Sequence, residues 1–288
     1  MADTIDLHTH STASDGSLTP SELVAAAVDA GLAAIALTDH DTTMGLPEAL
    51  QAGREAGIEV VPGCELSVDY PHGHMHLLGL WVPKQPTRLN RVLEELRQDR
   101  HSRNERIVEK LRGLGIDISY REVTKVAGGG AVGRPHLAKV LVEKGVVPSV
   151  DQAFATYLEA GGKAYVPKKK LTPQQGIQVL LDEGATVILA HPCSLDLSPL
   201  ELEPELRTFI SWGLHGLEAY YSEHSIKQTT TFLGLAAKLG LLVSGGSDFH
   251  GDVKPGIALG SGTGGLRIPR DLLEAMKAHR QSNNLPLD

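Results

Sequence analysis

The sequence predicts an α/β protein, with a parallel sheet of short strands that alternates with helices, closes into a barrel and is interrupted by a helical insertion. Three observations predict it. Apolar runs of strand length, such as AAIALT (33–38), TVILA (186–190) and GLEAYY (216–221), recur between stretches of helical periodicity, and such runs suit strands buried on both faces. Five strand-like runs carry or end in His, Asp or Glu, as expected where barrel strands deliver side chains to one face. Between about residues 99 and 165 nothing strand-like interrupts a succession of helical segments. With 288 residues and 41% hydrophobic content, the chain can bury a full-sized core, and barrels of alternating strands and helices commonly reach this size as one domain. The expected layout is a first barrel part over 1–98, an insertion over 99–165 and a second barrel part over 166–288.

The elements follow in order. IDLHTH (5–10) reads as the first strand, and Thr19-Pro20-Ser21-Glu22 as a helix start, with Thr19 at the N-cap, Pro20 at the first helical position and Glu22 closing a capping box. That helix is expected to stop near Gly31. After AAIALT, Thr43 to Gly57 reads as a helix, IEVVPGCEL (58–66) as a third strand and HMHLLGL (74–80) as a fourth. From Leu89 to Gly115 apolar residues fall at helical spacing among dense charges, which predicts an exposed or capping helix. SYREVTKVA, PHLAKVLVEKG and SVDQAFATYLEAGG read as three further helices, with Gly128-Gly129-Gly130 as a flexible joint. A helix over 173–183 then precedes TVILA, one around 205–212 precedes GLEAYY, one around 226–239 precedes LLVSGGSDFH (241–250), and 270–279 closes the chain. Strands separated by helices imply parallel pairing.

Composition narrows the function classes. A net charge of −8 argues against a broad basic surface for long DNA. No apolar run approaches the roughly 18 to 20 residues of a membrane span, and no apolar leader precedes the first strand, so a soluble, cytoplasmic protein is expected. Cys64 and Cys193 are too few for a disulfide framework and read as reduced packing residues.

The candidate chemistry lies at strand ends. His8 and His10 stand two apart and so share one face of a strand, with Asp15 after a short turn. His40, Glu65, His76, His191, Asp248 and His250 sit at or just beyond later strand ends. His72 and His74 share the period-2 face of His76, so spacing leaves the choice among them open. Nine imidazole and carboxylate groups exceed the four that one zinc ion takes, which points to two or three ions. The mixed N/O set fits Mn, Zn or Fe and disfavours a pure magnesium site. Close-set divalent ions lower the pKa of a bridging water from about 15.7 to roughly 7 and clamp the oxygens of an in-line phosphoryl displacement. Hydrolysis is the expected chemistry.

Six ordered motifs, His8-Thr9-His10 with Asp15, Thr38-Asp39-His40-Asp41, Gly63-Cys64-Glu65, His76-Leu77-Leu78-Gly79, Ala190-His191-Pro192 and Ser247-Asp248-Phe249-His250, resemble those of the PHP (polymerase and histidinol phosphatase) metal-dependent phosphoesterases, over nearly the whole chain. The resemblance implies a distorted (β/α)7 barrel of PHP type with a helical insertion domain. It implies a first metal site of His8, His10, Glu65 and Asp248, a second of Asp15, His40 and His250, and a third of Glu65, His76 and His191, with Glu65 bridging. It also selects His76 over His74. Asp15, Glu65, His191 and Asp248 are the expected catalytic residues, acting around a metal-bridging hydroxide.

Gly133-Arg134-Pro135-His136-Leu137-Ala138 looks like the small-nucleotide branch of that family, whose members remove the 3′-phosphate of nucleoside 3′,5′-bisphosphates or trim short RNA from the 5′ end. Arg134, His136 and His224 are the expected contacts for a substrate phosphate outside the metal centre. The expected partner is a small phosphorylated nucleotide or short RNA. Alternative readings are a histidinol-phosphate or sugar-phosphate phosphatase, a 5′-to-3′ exonuclease on short RNA, and a metal-stabilised binding domain without turnover. Lys168-Lys169-Lys170 reads by default as a solvated charge run, with contact to a second phosphate as the alternative. Gly260-Ser-Gly262-Thr-Gly264-Gly265 matches a dinucleotide fingerprint by letter only, because no helix opens on its last glycine.

Overall fold

A computed structural model describes residues 3–127, 132–167 and 169–287. The chain forms two compact units, Met1–Arg91 with Leu171–Asp288, and Val92–Lys170. The glycine joint at 128–130 and Lys168 lie outside the described residues.

The first unit begins with β1 (Ile5–Thr9), α1 (Pro20–Asp29), β2 (Ala34–Leu37), α2 (Leu46–Ala56), β3 (Glu59–Val68) and β4 (Met75–Leu80). Thr19 caps α1 by accepting from the Glu22 N–H, while the Glu22 carboxylate accepts from the Thr19 N–H. This reciprocal box satisfies two donors that a helix start otherwise leaves open. The chain then runs through α3 (Thr87–Gly113) into the second unit, with α4 (Tyr120–Val126), α5 (Arg134–Glu143) and α6 (Val150–Ala153), which continues as a π-turn over Phe154–Leu158. Ile107, Leu111, Val123, Leu137, Leu141 and Leu158 form that unit's own buried core. The first unit resumes with α7 (Pro173–Asp182), β5 (Thr186–Leu189), α8 (Pro199–Ser211), β6 (Gly216–Tyr221), α9 (Ile226–Leu239), β7 (Leu242–Gly246) and α10 (Asp271–Ser282). Helix α8 starts six residues before the expected Glu205, at a capping box of Ser198 and Glu201, and runs on through Pro204.

The seven strands lie in sequence order, β1 to β7. β7 returns to β1, where the Asp248 N–H donates to His8 O at 2.9 Å and the His10 N–H to Phe249 O at 2.9 Å, which nearly closes the barrel. Gly246 makes the closure possible, since a Cβ there would stand 2.1 Å from His8 Cβ and 2.5 Å from its backbone N.

The all-parallel expectation is corrected at β4, which pairs antiparallel with both β3 and β5. Only residues 69–74 separate β3 from β4, too few for the crossover that a parallel neighbour needs. His76 therefore sits near the beginning of its strand rather than the end. Because β4 runs backwards, that beginning lies at the same barrel face as the ends of its neighbours, with His76 paired in register to Ser67, two residues beyond Glu65.

Candidate metal centre

At this face the strands bring together the nine candidate side chains, eight read from their place at strand ends and His76 chosen through the family motif. Glu65 is fully buried, and its two oxygens divide the imidazoles between them. Oε2 lies 3.1 Å from His8 Nε2, 3.2 Å from His10 Nε2 and 3.0 Å from His40 Nδ1. Oε1 lies 2.8 Å from His76 Nδ1 and 3.0 Å from His191 Nε2. Asp248 Oδ1 is 3.1 Å from His10 Nε2, and Asp15 Oδ1 is 3.3 Å from His250 Nε2. Three overlapping sets have ligand atoms within 4.8 Å of one another: His8, His10, Glu65 and Asp248; His10, Asp15, His40 and His250; and His40, Glu65 and His76. His191 joins the last set through its contacts with Glu65 and with His76, 3.3 Å away. His74 precedes the strand and is exposed, as is His72.

The electrostatics follow from burial and crowding. Burial alone would depress the His8 pKa, but Glu65, Glu218 and Asp248 around it hold it well above its ordinary value. Burial would raise Glu65, yet His8, His40 and His76 hold its carboxyl well below the usual range, and Asp248 is lowered in the same way by His8 and His10. Burial, the largest single effect at both, would raise Asp15 and lower His40, yet His250, His40 and His10 together pull Asp15 down to about 2, and Glu65 and Asp15 bring His40 up to about 9. At His76 burial wins over Glu65, and its pKa is lowered.

These side chains fit a divalent metal. His8 Nε2, both ring nitrogens of His10, His40 Nδ1 and Glu65 Oε2 are buried without a hydrogen-bond partner. Such atoms are costly to leave unsatisfied, and here they converge, with imidazole and carboxylate donors in the mixture that Zn, Mn and Fe accept.

Left-handed backbone also gathers at the centre. His191 has φ 22° and Asp248 φ 57°, and Asp41 beside His40 has φ 49°; non-glycine residues rarely adopt such angles unless their surroundings impose them.

Four supporting residues were given no role in the motif reading. Glu218, fully buried on β6, faces His8 Nδ1 at 3.0 Å and accepts from the His191 N–H at 2.6 Å. Tyr221 OH at 3.0 Å and Lys254 Nζ at 2.6 Å both donate to Asp248 Oδ2, leaving Oδ1 for the histidines. Asp39 accepts from the Ser11 N–H and from the Ser11 and Ser14 hydroxyls, which shapes the turn that presents Asp15. A Glu inside the apolar run GLEAYY and a second carboxylate in Thr38-Asp39-His40-Asp41 were the available signals, because an acidic residue in a buried strand needs a partner.

The expected substrate contacts are placed as follows. In the second unit Arg134 opens α5, donates from Nη1 to Leu158 O at 3.1 Å and lies over the Phe154 ring. His136 Nδ1 accepts from the Gly133 N–H at 3.0 Å. In the barrel unit His224 Nδ1 donates to Ala219 O at 2.9 Å, and its Nε2 is buried without a partner.

A family model described as PHP domain matches residues 6–165. The 5′-3′ exoribonuclease Rnm of Salmonella typhimurium is 35% identical over 247 residues, covering 85% of this chain and 84% of that protein. The 3′,5′-nucleoside bisphosphate phosphatase of Chromobacterium violaceum is 32% identical, covering 85% of this chain and 87% of that protein. Among solved structures, a protein of Bifidobacterium adolescentis, described as a proposed metal-dependent phosphoesterase, aligns with a TM-score of 0.73 at 32% identity and covers 96% of both chains. The ligand motifs, the seven-stranded barrel that carries them and relatives spanning most of its length agree, and the chain belongs to the PHP domain family.

Proposed function

We propose that this PHP-family phosphoesterase removes the 3′-phosphate from nucleoside 3′,5′-bisphosphates, with two or three divalent ions, Mn, Zn or Fe, at the centre described above. The observation that carries the reading is Glu65, one buried carboxylate reaching five imidazoles. His8, His10, Glu65 and Asp248 would hold one ion, Asp15, His40 and His250 a second, and Glu65, His76 and His191 a third. Ions held there supply Lewis-acid charge to a phosphoryl oxygen and make water a nucleophile near neutral pH.

The chain's own residues do the rest. Tyr221 and Lys254 fix the outer oxygen of Asp248, so that its inner oxygen keeps one orientation. Buried Glu65, His8 and His10 exclude bulk water from the inner part of the centre, which strengthens every charge interaction there. The phosphate that is not cleaved needs cationic or imidazole partners, for which Arg134, His136 and His224 are the candidates.

Release of inorganic phosphate from a nucleoside 3′,5′-bisphosphate with added manganese tests the reading, with histidinol phosphate and an aryl phosphate as comparison substrates. No release from any of them would return the centre to a metal-stabilised binding domain. Arg134→Ala is expected to lose about 1.5 to 3 kcal/mol, roughly tenfold to a hundredfold in kcat/KM, on the bisphosphate, with little change on the aryl phosphate. Equal losses on both substrates would assign Arg134 to the fold of its own unit, where it already holds Leu158 O.

A second reading, 5′-to-3′ removal of nucleotides from short RNA, is favoured by the name of the Salmonella typhimurium relative. Mononucleotide release from a 5′-phosphorylated oligoribonucleotide distinguishes it. Among the described residues no helix is long and apolar enough to cross a membrane, and with Cys64 and Cys193 as free thiols we place the protein in the cytoplasm, which cell fractionation would check.

A further inference from the structure

We infer that Glu218 is a positioning residue that sets the tautomer of His8 and the backbone of His191 together, tying two ligand groups to one carboxylate. The inference rests on the metal-centre reading above. Glu218 is fully buried at the middle of β6, which pairs with β5, the strand before His191, and with β7, which in turn meets β1 and His8. Its Oε1 is 3.0 Å from His8 Nδ1, and its Oε2 is 2.6 Å from the His191 N–H. A backbone N–H can only donate. His8 presents Nε2 to Glu65 and Asp248, and a ring nitrogen that ligates a metal carries no proton, so the proton must reside on Nδ1 and point at Glu218. Carboxylates in this position orient ligating imidazoles and raise their basicity. The second contact is unusual because it reaches a backbone with φ 22°, a conformation that persists only where the surroundings hold it. His191 is turned toward Glu65 by that bend, with its ring fixed on the far side by Ser194 Oγ at 2.9 Å.

Glu218→Gln separates this role from packing, because the amide has the same shape but accepts on one side only. With its carbonyl on the obligatory His191 N–H, its NH2 faces His8 Nδ1. The proton is then driven to Nε2, the atom meant for metal. Chelated Glu218→Gln is expected to melt close to the chelated parent, while its manganese affinity falls by about tenfold to a hundredfold, the usual effect of losing such a partner. Imidazole 15N spectra of the chelated variant should show His8 as the Nε2–H form. Unchanged manganese affinity in a folded Glu218→Gln would overturn the role, whereas a parent protein that bound no metal at all would sink the metal-centre reading instead. If the variant does not fold, the zinc-loaded parent decides by itself. A strongly hydrogen-bonded His8 Nδ1–H supports the inference, and a His8 protonated on Nε2 refutes it.

Discussion

Glu65 illustrates how much one buried residue can be asked to do. Both of its oxygens face imidazoles, and on the Oε2 side the nitrogens of His8, His10 and His40 are buried without a hydrogen-bond partner. Glu65→Ala is expected to cost more activity than any other ligand substitution, beyond about a hundredfold, since losing even an outer partner typically costs 10- to 100-fold. Elemental analysis should show reduced metal content, and unchanged stoichiometry would remove its shared role. His215, away from the centre, makes a pH argument possible. Burial, with His279 and Arg280 nearby, pushes its pKa down to about 4, and its Nδ1 accepts from the Val187 N–H at 3.0 Å, which requires an unprotonated nitrogen. Between about 6.5 and 4 the unfolded chain binds a proton at this residue and the folded chain does not, so stability is fully present above that window and declines as pH falls through it. His215→Gln keeps an acceptor for Val187 and removes the titration. Melting temperatures from pH 4 to 7 should fall less steeply in the variant, and parallel curves would show that His215 contributes nothing to the slope.

At the scale of elements, the join between β1 and β7 is where fold and site depend on the same atoms. Gly246 packs against the Cβ, Cα and N of His8, which are parts of a strand and cannot swing aside. Gly246→Ala should therefore fall at or above the upper end of the roughly 1 to 3 kcal/mol typical of overpacking, and it should also weaken metal binding through His8. A variant with parental melting temperature and metal content would mean that β7 can slide outward freely. The opposite arrangement holds for α1, α4, α7 and α9, whose boundaries are set by Thr19, Ser119, Thr172 and Ser225 and their partners three residues on. Such caps are local, which is why these boundaries could be read within a residue or two from the letters alone, whereas the direction of β4 was expected to be parallel and proved antiparallel.

For the whole molecule, the metal centre is a source of both activity and stability. A ligand that binds the folded state alone stabilises it by RT ln(1 + [L]/Kd), about 2.7 kcal/mol at a hundredfold excess over Kd. The centre draws on β1, β3, β4 and the loops after β2, β5 and β7, so unfolding any of these disperses the ligands. Treatment with a chelator is expected to abolish phosphatase activity and lower the melting temperature, with manganese restoring both. Full activity after chelation, verified by elemental analysis, would be incompatible with a metal-dependent hydrolase.

The clustered His, Asp and Glu side chains were legible because their motifs are local. A histidine two residues from another on a strand, or an aspartate and histidine directly after an apolar run, keeps its spacing wherever the strand goes, and strand ends in such folds share a face. The helix caps, the strands and the all-helical stretch in mid-chain were legible for the same reason. The partners of the ligands were not. Glu218 is a single carboxylate in GLEAYY, and it acquires its two contacts only when β6 pairs with β5 and the barrel closes from β7 onto β1. Lys254 and Tyr221 meet on Asp248 from different loops and strands, and His76 reaches Glu65 only because β4 runs antiparallel. Residue type and spacing by themselves named side chains that could bind metal, leaving His72, His74 and His76 open; tertiary structure decided which of them meet and which atoms face one another, because register, strand direction and closure are properties of pairs of segments that no single segment contains.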